Sequence, residues 1–315
     1  MRAKEFESDA ANDWCAGCGD FGILRAMEQA FADLGLTRQQ IAVFGGIGCS
    51  GKTPYYVETN GIHTLHGRVL PFATGAKLAN PELTVIAVGG DGDGLGIGAG
   101  HFVNTGRRNL DLTYLLFNNE VYGLTKGQAA PTIHQGEKTK AMANASLYSH
   151  INPILLALTS GFTWIGRGYA YDSHLLSSLI QDAIQHKGSA FLEILQPCPV
   201  YNDLHDKGWF EMSVLTRQPR IYSLSDTDYD PVIPPDANDS MREEKFIQCV
   251  GKAHEWGERI PLGLFYNDMS ASELTQQLYA EQSFYLQRPP AKQPAIDRNR
   301  QNHVDMKTIM KKFMV

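Results

Sequence analysis

Thr84-Val85-Ile86-Ala87-Val88-Gly89-Gly90-Asp91-Gly92-Asp93 is the stretch on which the fold turns. Its first five residues are apolar or β-prone without a charged break, the pattern of a strand buried on both faces. The glycines that follow end the strand and let the backbone come close to a ligand, with the Asp91 carboxylate set among them. Outward from this point, Ile41-Ala42-Val43-Phe44, Leu112 to Phe117 and Ala190 to Leu195 are further compact runs of the same kind. Helix-compatible segments at about 95–108, 153–160 and 173–187 separate several of them. Strands alternating with helices predict an α/β fold with a mostly parallel sheet flanked by helices. Upstream, Phe21, Leu24, Met27, Phe31 and Leu34 recur at three- and four-residue spacing and predict an amphipathic helix over 20–34, with Asp20 as its N-cap.

In such sheets ligands bind beyond the carboxyl ends of the strands. Three of these strands run into chemically unusual loops, Gly45 to Lys52, Gly89 to Gly100 and Asn118 to Gln128. The segment 125–151 has weak periodicity and reads as a long functional loop, since a structureless insert of that length is otherwise uncommon. A length of 315 residues, against about 150 per domain, suits one large α/β domain over 1–210 and a C-terminal extension over 211–315 that wraps or caps it. The extension is marked by Pro234-Pro235, the charged run Arg242-Glu243-Glu244-Lys245 and Pro289-Pro290.

Composition narrows the function classes. With 43% hydrophobic and 20% charged residues the chain is a folded protein and not a disordered or fibrous one. A formal charge of −6 gives no electrostatic case for nonspecific nucleic-acid binding. No apolar run is long enough for a membrane span, and the start Met1-Arg2-Ala3-Lys4-Glu5 has no signal-peptide core, so a cytoplasmic location is expected. There, five cysteines are better read as metal ligands, redox groups or buried side chains than as structural disulfides.

Two constellations carry chemistry. Asp91 follows one strand and Asn118-Asn119 ends the next, so Asp91 and Asn119 would arrive side by side. A hard divalent cation takes carboxylate, amide or carbonyl and phosphate oxygens, which this pair and the glycine-lined backbone can accommodate. A bare Gly-Asp-Gly is otherwise a common turn. The second constellation is cysteine: Cys15 and Cys18 in a tight Cys-x-x-Cys loop, Cys49 after the first strand, and Cys198 between Pro197 and Pro199. Four thiolates converging from such loops suit either zinc or a cubane iron-sulfur cluster, and geometry alone does not separate them. Cys249, in the helix-like stretch Phe246 to Ala253, reads as a buried core residue.

Gly90-Asp91-Gly92 followed by Asn118-Asn119 resembles the thiamine diphosphate signature. With Trp14-Cys15-Ala16-Gly17-Cys18-Gly19, Gly46-Ile47-Gly48-Cys49-Ser50, His66-Gly67-Arg68 and Asn119-Glu120-Val121-Tyr122-Gly123-Leu124-Thr125, it resembles the β subunit of 2-oxoacid:ferredoxin oxidoreductases over residues 12–205, the 2-oxoglutarate branch most closely. The resemblance implies Mg²⁺ on Asp91, Asn119 and the Val121 main-chain oxygen. It implies a thiamine diphosphate site lined by Ile47, Gly48, Cys49, Ser50, His66, Gly92, Asp93, Gly123 and Leu124, and one [4Fe-4S] cluster on Cys15, Cys18, Cys49 and Cys198. His66 is a candidate catalytic group, able to donate to a diphosphate. Lys52 and Arg68 are candidate cations for a substrate carboxylate.

The implied reaction is coenzyme A-dependent oxidative decarboxylation of a 2-oxoacid, 2-oxoglutarate to succinyl-CoA, or its reverse, with single electrons passing through the cluster to ferredoxin. The glutamate that contacts the aminopyrimidine in thiamine enzymes cannot be assigned here, so an α subunit is implied, in a dimer of αβ heterodimers. The competing expectations are a non-redox module binding zinc and a nucleotide, and a non-redox thiamine diphosphate decarboxylase or carboligase.

Overall fold

A computed structural model describes residues 2–294; residues 295–315 of the expected extension lie outside the described residues. The strands are β1 (Ile41–Gly45), β2 (Asn60–His63), β3 (Thr84–Gly90), β4 (Leu112–Asn118), β5 (Val121–Tyr122), β6 (Gln128–Ala129), β7 (Trp164–Tyr169), β8 (Ser189–Leu195), β9 (Ile221–Ser223), β10 (Val232–Ile233) and β11 (Ile260–Asp268). The main sheet has the order β10-β11-β7-β8-β4-β3-β1-β2, with β9 on β11. From β2 to β7 every pairing is parallel, and β11 is antiparallel to β7. The mostly parallel α/β architecture expected from the apolar runs is therefore the one observed.

Burial explains why these runs lacked polar alternation. β1, β4, β7 and β8 are buried at every residue. Their side chains alternate between two cores. Ile41, Val43, Leu115 and Phe117 pack with α1 (Asp20–Asp33) and α6 (Ser173–Gln185). Ala42, Phe44, Tyr114 and Leu116 pack with α3 (Val69–Ala79), α4 (Ala99–Arg108), α5 (Pro153–Ser160) and α8 (Asp239–Ala253). The short α2 (Thr53–Tyr56) and α7 (Lys207–Glu211) complete the helices used below.

Several elements differ from the sequence expectation. Asp20 is not the cap of α1 but its first residue, fully buried, with Gly19 at the cap. The helix read from residue 95 begins instead as a π-helical segment, Gly92–Ile97, before α4. β7 escaped notice because Gly166, Arg167 and Gly168 interrupt its apolar run. The segment after 210 is tied into the same sheet through β11, and α8 buries Cys249 completely against it. Among the described residues, no helix is long and apolar enough to cross a membrane.

Candidate functional site

β3 and β4 run parallel and in register, Gly90 opposite Phe117, so their carboxyl ends deliver Asp91 and Asn119 to one place. A cavity of about 170 Å³ opens there, lined by Ile47 to Ser50, His66, Gly90 to Asp93, Asn119 and Val121 to Thr125. All twelve residues named for the cofactor and its cation meet around it.

Asp91 is buried, and its Oδ2 accepts from the Glu120 main-chain N–H at 3.1 Å and from the Thr132 hydroxyl at 2.5 Å. Burial pushes its carboxyl up to about 7. Asn119 Oδ1 accepts from Val121 N–H at 3.1 Å, and its Nδ2 donates to Gln196 Oε1 at 2.8 Å. Glu120 between them has φ +65°, the left-handed turn that sets Asn119 and Val121 side by side.

Asp93 works from below the cavity. Its Oδ1 accepts from Ile47 N–H at 3.0 Å, Gly67 N–H at 2.8 Å and His66 Nδ1 at 2.7 Å. It thus ties the β1 and β2 exit loops together and leaves His66 Nε2 as the nitrogen free for a ligand. Gly92 is required by packing, since a Cβ there would lie 2.3 Å from the Tyr122 ring. At Gly48, φ is +134° and a Cβ would meet nothing within 4 Å, so the loop leaves open space over the cavity. A carboxylate, an amide and main-chain oxygens beside glycine backbone form a hard-oxygen set that fits a divalent cation carrying a diphosphate.

The four loop cysteines are free thiols, Cys15 exposed and Cys18 and Cys198 buried. Cys18 N–H donates to Cys15 O at 3.0 Å, a turn that Gly17 permits with φ +77°. Trp14 Nε1 donates to Cys49 O at 2.8 Å, and Gln196 Nε2 approaches Cys18 Sγ at 3.3 Å. Burial, followed by the Asp20 charge, pushes the Cys49 thiol up to about 12 and Cys18 further. Asp20 itself is pushed up to about 7 by burial, and neither of its oxygens has a hydrogen-bond partner. No three of these thiols lie within 4.8 Å of one another. Cys49 belongs to both places: it lines the cofactor cavity, and its Sγ lies 3.5 Å from where a Gly123 Cβ would be.

Lys52 and Arg68, expected to offer cations to a substrate, do not line this cavity. Lys52 Nζ is paired with Asp13 Oδ2 at 2.7 Å, and Asp13 Oδ1 also accepts from Tyr56 Oη at 2.6 Å. Arg68 Nη1 donates to the neighbouring Gly67 carbonyl at 3.2 Å.

Sequence reading missed Tyr122, Gln196 and Thr132, polar groups without a motif of their own. It also missed Glu120, Glu137 and His205, whose ligand atoms lie within 4.8 Å of one another. His205 Nδ1 donates to Glu120 Oε2 at 2.5 Å and its Nε2 lies 3.6 Å from Glu137 Oε1. Burial alone would lower this imidazole, but the two carboxylates hold it above its usual value. A hydrogen bond joins His205 to Glu120 and a longer ion pair joins it to Glu137, which links the 125–151 loop to the segment after Cys198.

Comparison with known proteins agrees with this geometry. Residues 46–194 match the family described as thiamine pyrophosphate enzyme, C-terminal TPP binding domain, and residues 198–282 match the family of the C-terminal part of the pyruvate ferredoxin oxidoreductase beta chain. The chain is 50% identical over 287 residues to the 2-oxoacid:ferredoxin oxidoreductase subunit beta of Sulfolobus sp, covering 90% of each chain. It is 46% identical to subunit beta of 2-oxoacid:ferredoxin oxidoreductase 1 of Aeropyrum pernix, over 98% of this chain and 96% of that one. A solved 2-oxoglutarate:ferredoxin oxidoreductase from Magnetococcus marinus, with 2-oxoglutarate, coenzyme A and succinyl-CoA bound, matches with a TM-score of 0.78 at 31% identity, over 100% of this chain and 97% of that one.

Proposed function

Because the chain belongs to the β subunits of the 2-oxoacid:ferredoxin oxidoreductases, we propose that it works with an α subunit in the coenzyme A-dependent oxidative decarboxylation of a 2-oxoacid. The proposed substrate is 2-oxoglutarate, supported by the Magnetococcus marinus structure and by a 46% identical KorB subunit of a Mycobacterium tuberculosis 2-oxoglutarate oxidoreductase that aligns over 64% of this chain. Asp91, Asn119 and the Val121 carbonyl would hold Mg²⁺, and the glycine-lined backbone the diphosphate. Cys15, Cys18, Cys49 and Cys198 would hold a [4Fe-4S] cluster that passes electrons to ferredoxin.

The observation that carries this reading is Cys49, which joins the thiol group to the cofactor cavity. Bound thiamine diphosphate supplies carbanion chemistry at the keto carbon, and the cluster accepts electrons one at a time. The chain's own residues position and shield. Asp93 holds His66 through Nδ1 and leaves Nε2 available to a ligand. Tyr122 closes over Gly92, and Leu124 and Ile47 supply apolar cover at the cavity mouth. Trp14 and Gln196 fix the loops that carry Cys49 and Cys18. Lys52 could meet a distal carboxylate only by leaving Asp13.

The test is composition and turnover of the αβ complex purified without oxygen. About four irons per chain with acid-labile sulfide, bound thiamine diphosphate, and acceptor reduction by 2-oxoglutarate with coenzyme A are expected. Stoichiometric zinc without sulfide would overturn the cluster. A preference for pyruvate would overturn the substrate and leave the broader class standing.

A further inference from the structure

Four adjacent strands carry a row of polar side chains that runs from inside β7 and β8 to the carboxyl ends of β4 and β3. In the order β7, β8, β4, β3 these are Arg167, Glu193, Asn118 and, one residue past its strand, Asp91. Arg167 and Glu193 are register partners, 2% and 1% exposed, and Arg167 Nε donates to Glu193 Oε2 at 2.7 Å. Asn118 Nδ2 donates to Glu193 Oε1 at 2.7 Å. With its nitrogen committed there, the Asn118 amide turns Oδ1 toward the Thr132 hydroxyl, 2.9 Å away. The same hydroxyl lies 2.5 Å from Asp91 Oδ2, and its single proton goes to this closer, carboxylate oxygen.

Thr132 comes from the long loop after β6, and the loop is fixed where it matters. Ala130 N–H donates to Glu120 O at 3.0 Å, Ile151 N–H donates to Pro131 O at 2.8 Å, and Thr132 is 4% exposed. Glu120 N–H is the second donor to Asp91 Oδ2. Two donors on one oxygen restrain the carboxylate at the edge of the cavity it lines. A hydrogen bond to a carboxylate in a buried site is among the stronger ones available, so losing one donor matters.

We infer that Thr132 is a positioning residue for the metal-binding carboxylate, held in place by the backbone bonds of Ala130 and Pro131 on either side of it; the inference rests on the reading of Asp91 as a Mg²⁺ ligand. Valine has nearly the shape of threonine and cannot donate, so Thr132→Val removes the hydroxyl donor from Asp91 Oδ2 and keeps the Glu120 N–H. Serine keeps the hydroxyl.

The test uses the αβ complex stripped of cofactor and cation, titrated calorimetrically with Mg²⁺ at fixed thiamine diphosphate. Thr132→Val should weaken Mg²⁺-dependent binding by about ten- to a hundredfold, and Thr132→Ser should stay within about threefold of wild type. At saturating Mg²⁺, turnover of the Val variant should return to near the wild-type value, a split between cation affinity and turnover that a general loss of structure would not give. Thr132→Ala is measured alongside in case valine prevents assembly, and should follow it. Wild-type affinity in Val or Ala overturns the inference, as does a Ser variant as weak as Val. If Asp91→Ala loses binding while Thr132→Val keeps it, only the inference fails; if Asp91→Ala itself binds normally, the reading of Asp91 fails too.

Discussion

Gly46 has no room for a side chain, because a Cβ there would lie 2.1 Å from Asp93 Oδ2. Gly46→Ala should therefore push Asp93 off the Ile47, Gly67 and His66 donors. Overpacking of this kind costs about 1–3 kcal/mol, which thermal unfolding would read, and cofactor affinity should fall with it. Asp91 offers a test by pH. Its folded carboxyl is raised from 3.8 to about 7 by burial, so between those values the cation-free folded chain holds a proton that the unfolded chain has shed. The sign follows: without the cation, this group's contribution to stability declines as pH rises toward 7, and cation binding must expel the proton. Mg²⁺ affinity should fall as pH drops below 7 and level off above it, with up to one proton released from Asp91, measurable by calorimetry in buffers of different ionisation enthalpy. Affinity independent of pH from 5 to 8 would refute this. At this scale the sequence was informative where residue type is chemically unusual, as with Asp91, Asn119 and the four cysteines. Thr132 and Gln196 were illegible because an ordinary threonine or glutamine acquires its role only from what the fold places beside it. The pairing of Lys52 with Asp13 was illegible because Asp13 is distant in sequence and looks like a solvated residue.

Among the elements, α1 carries Cys18 at its foot and meets the exit of β7 at Gly22, where a Cβ would lie 2.0 Å from Ala170 O. Backbone cannot yield there as a flexible side chain would. Gly22→Ala should lift α1 from the sheet, destabilise the chain by about 1–3 kcal/mol and reduce iron content in anaerobic preparations. Full iron loading with unchanged unfolding temperature would show that the contact relaxes freely. Elements were legible when burial on both faces removed polar residues, as in β3, β4 and β8. β7 was hidden because its interior carries Arg167, tolerated there through the Glu193 pair and not through apolar burial. β2, with the exposed polar edge Asn60–His63, offered no apolar run to read. The cap of α1 was misplaced for a related reason: Asp20 is typical of an N-cap, but it lies buried in the helix, beside the thiols.

For the whole molecule, the cavity is half of a site. Among the described residues that line it, the only carboxylates are Asp91 and Asp93, Asp91 held by Thr132 and Glu120 and Asp93 tied through Oδ1 to the loops holding His66. Neither is left to hold the aminopyrimidine that thiamine chemistry requires to be activated. Ile47 and Leu124 at the cavity edge are 43% and 49% exposed, apolar cover that becomes effective only when something packs over it. On the proposed function, the activating acid would come from the α subunit, and the closure of the cavity with it. Water exclusion and ring activation would be lost together when this chain stands alone, whereas the thiols and the proposed Mg²⁺ ligands are its own. The isolated chain should accordingly retain its iron and measurable Mg²⁺-dependent thiamine diphosphate binding. It should show no 2-oxoacid oxidation with an artificial acceptor, and activity should appear on adding the α subunit. Turnover by the isolated chain at a rate comparable to the complex would mean that an acid within this polypeptide does the activating.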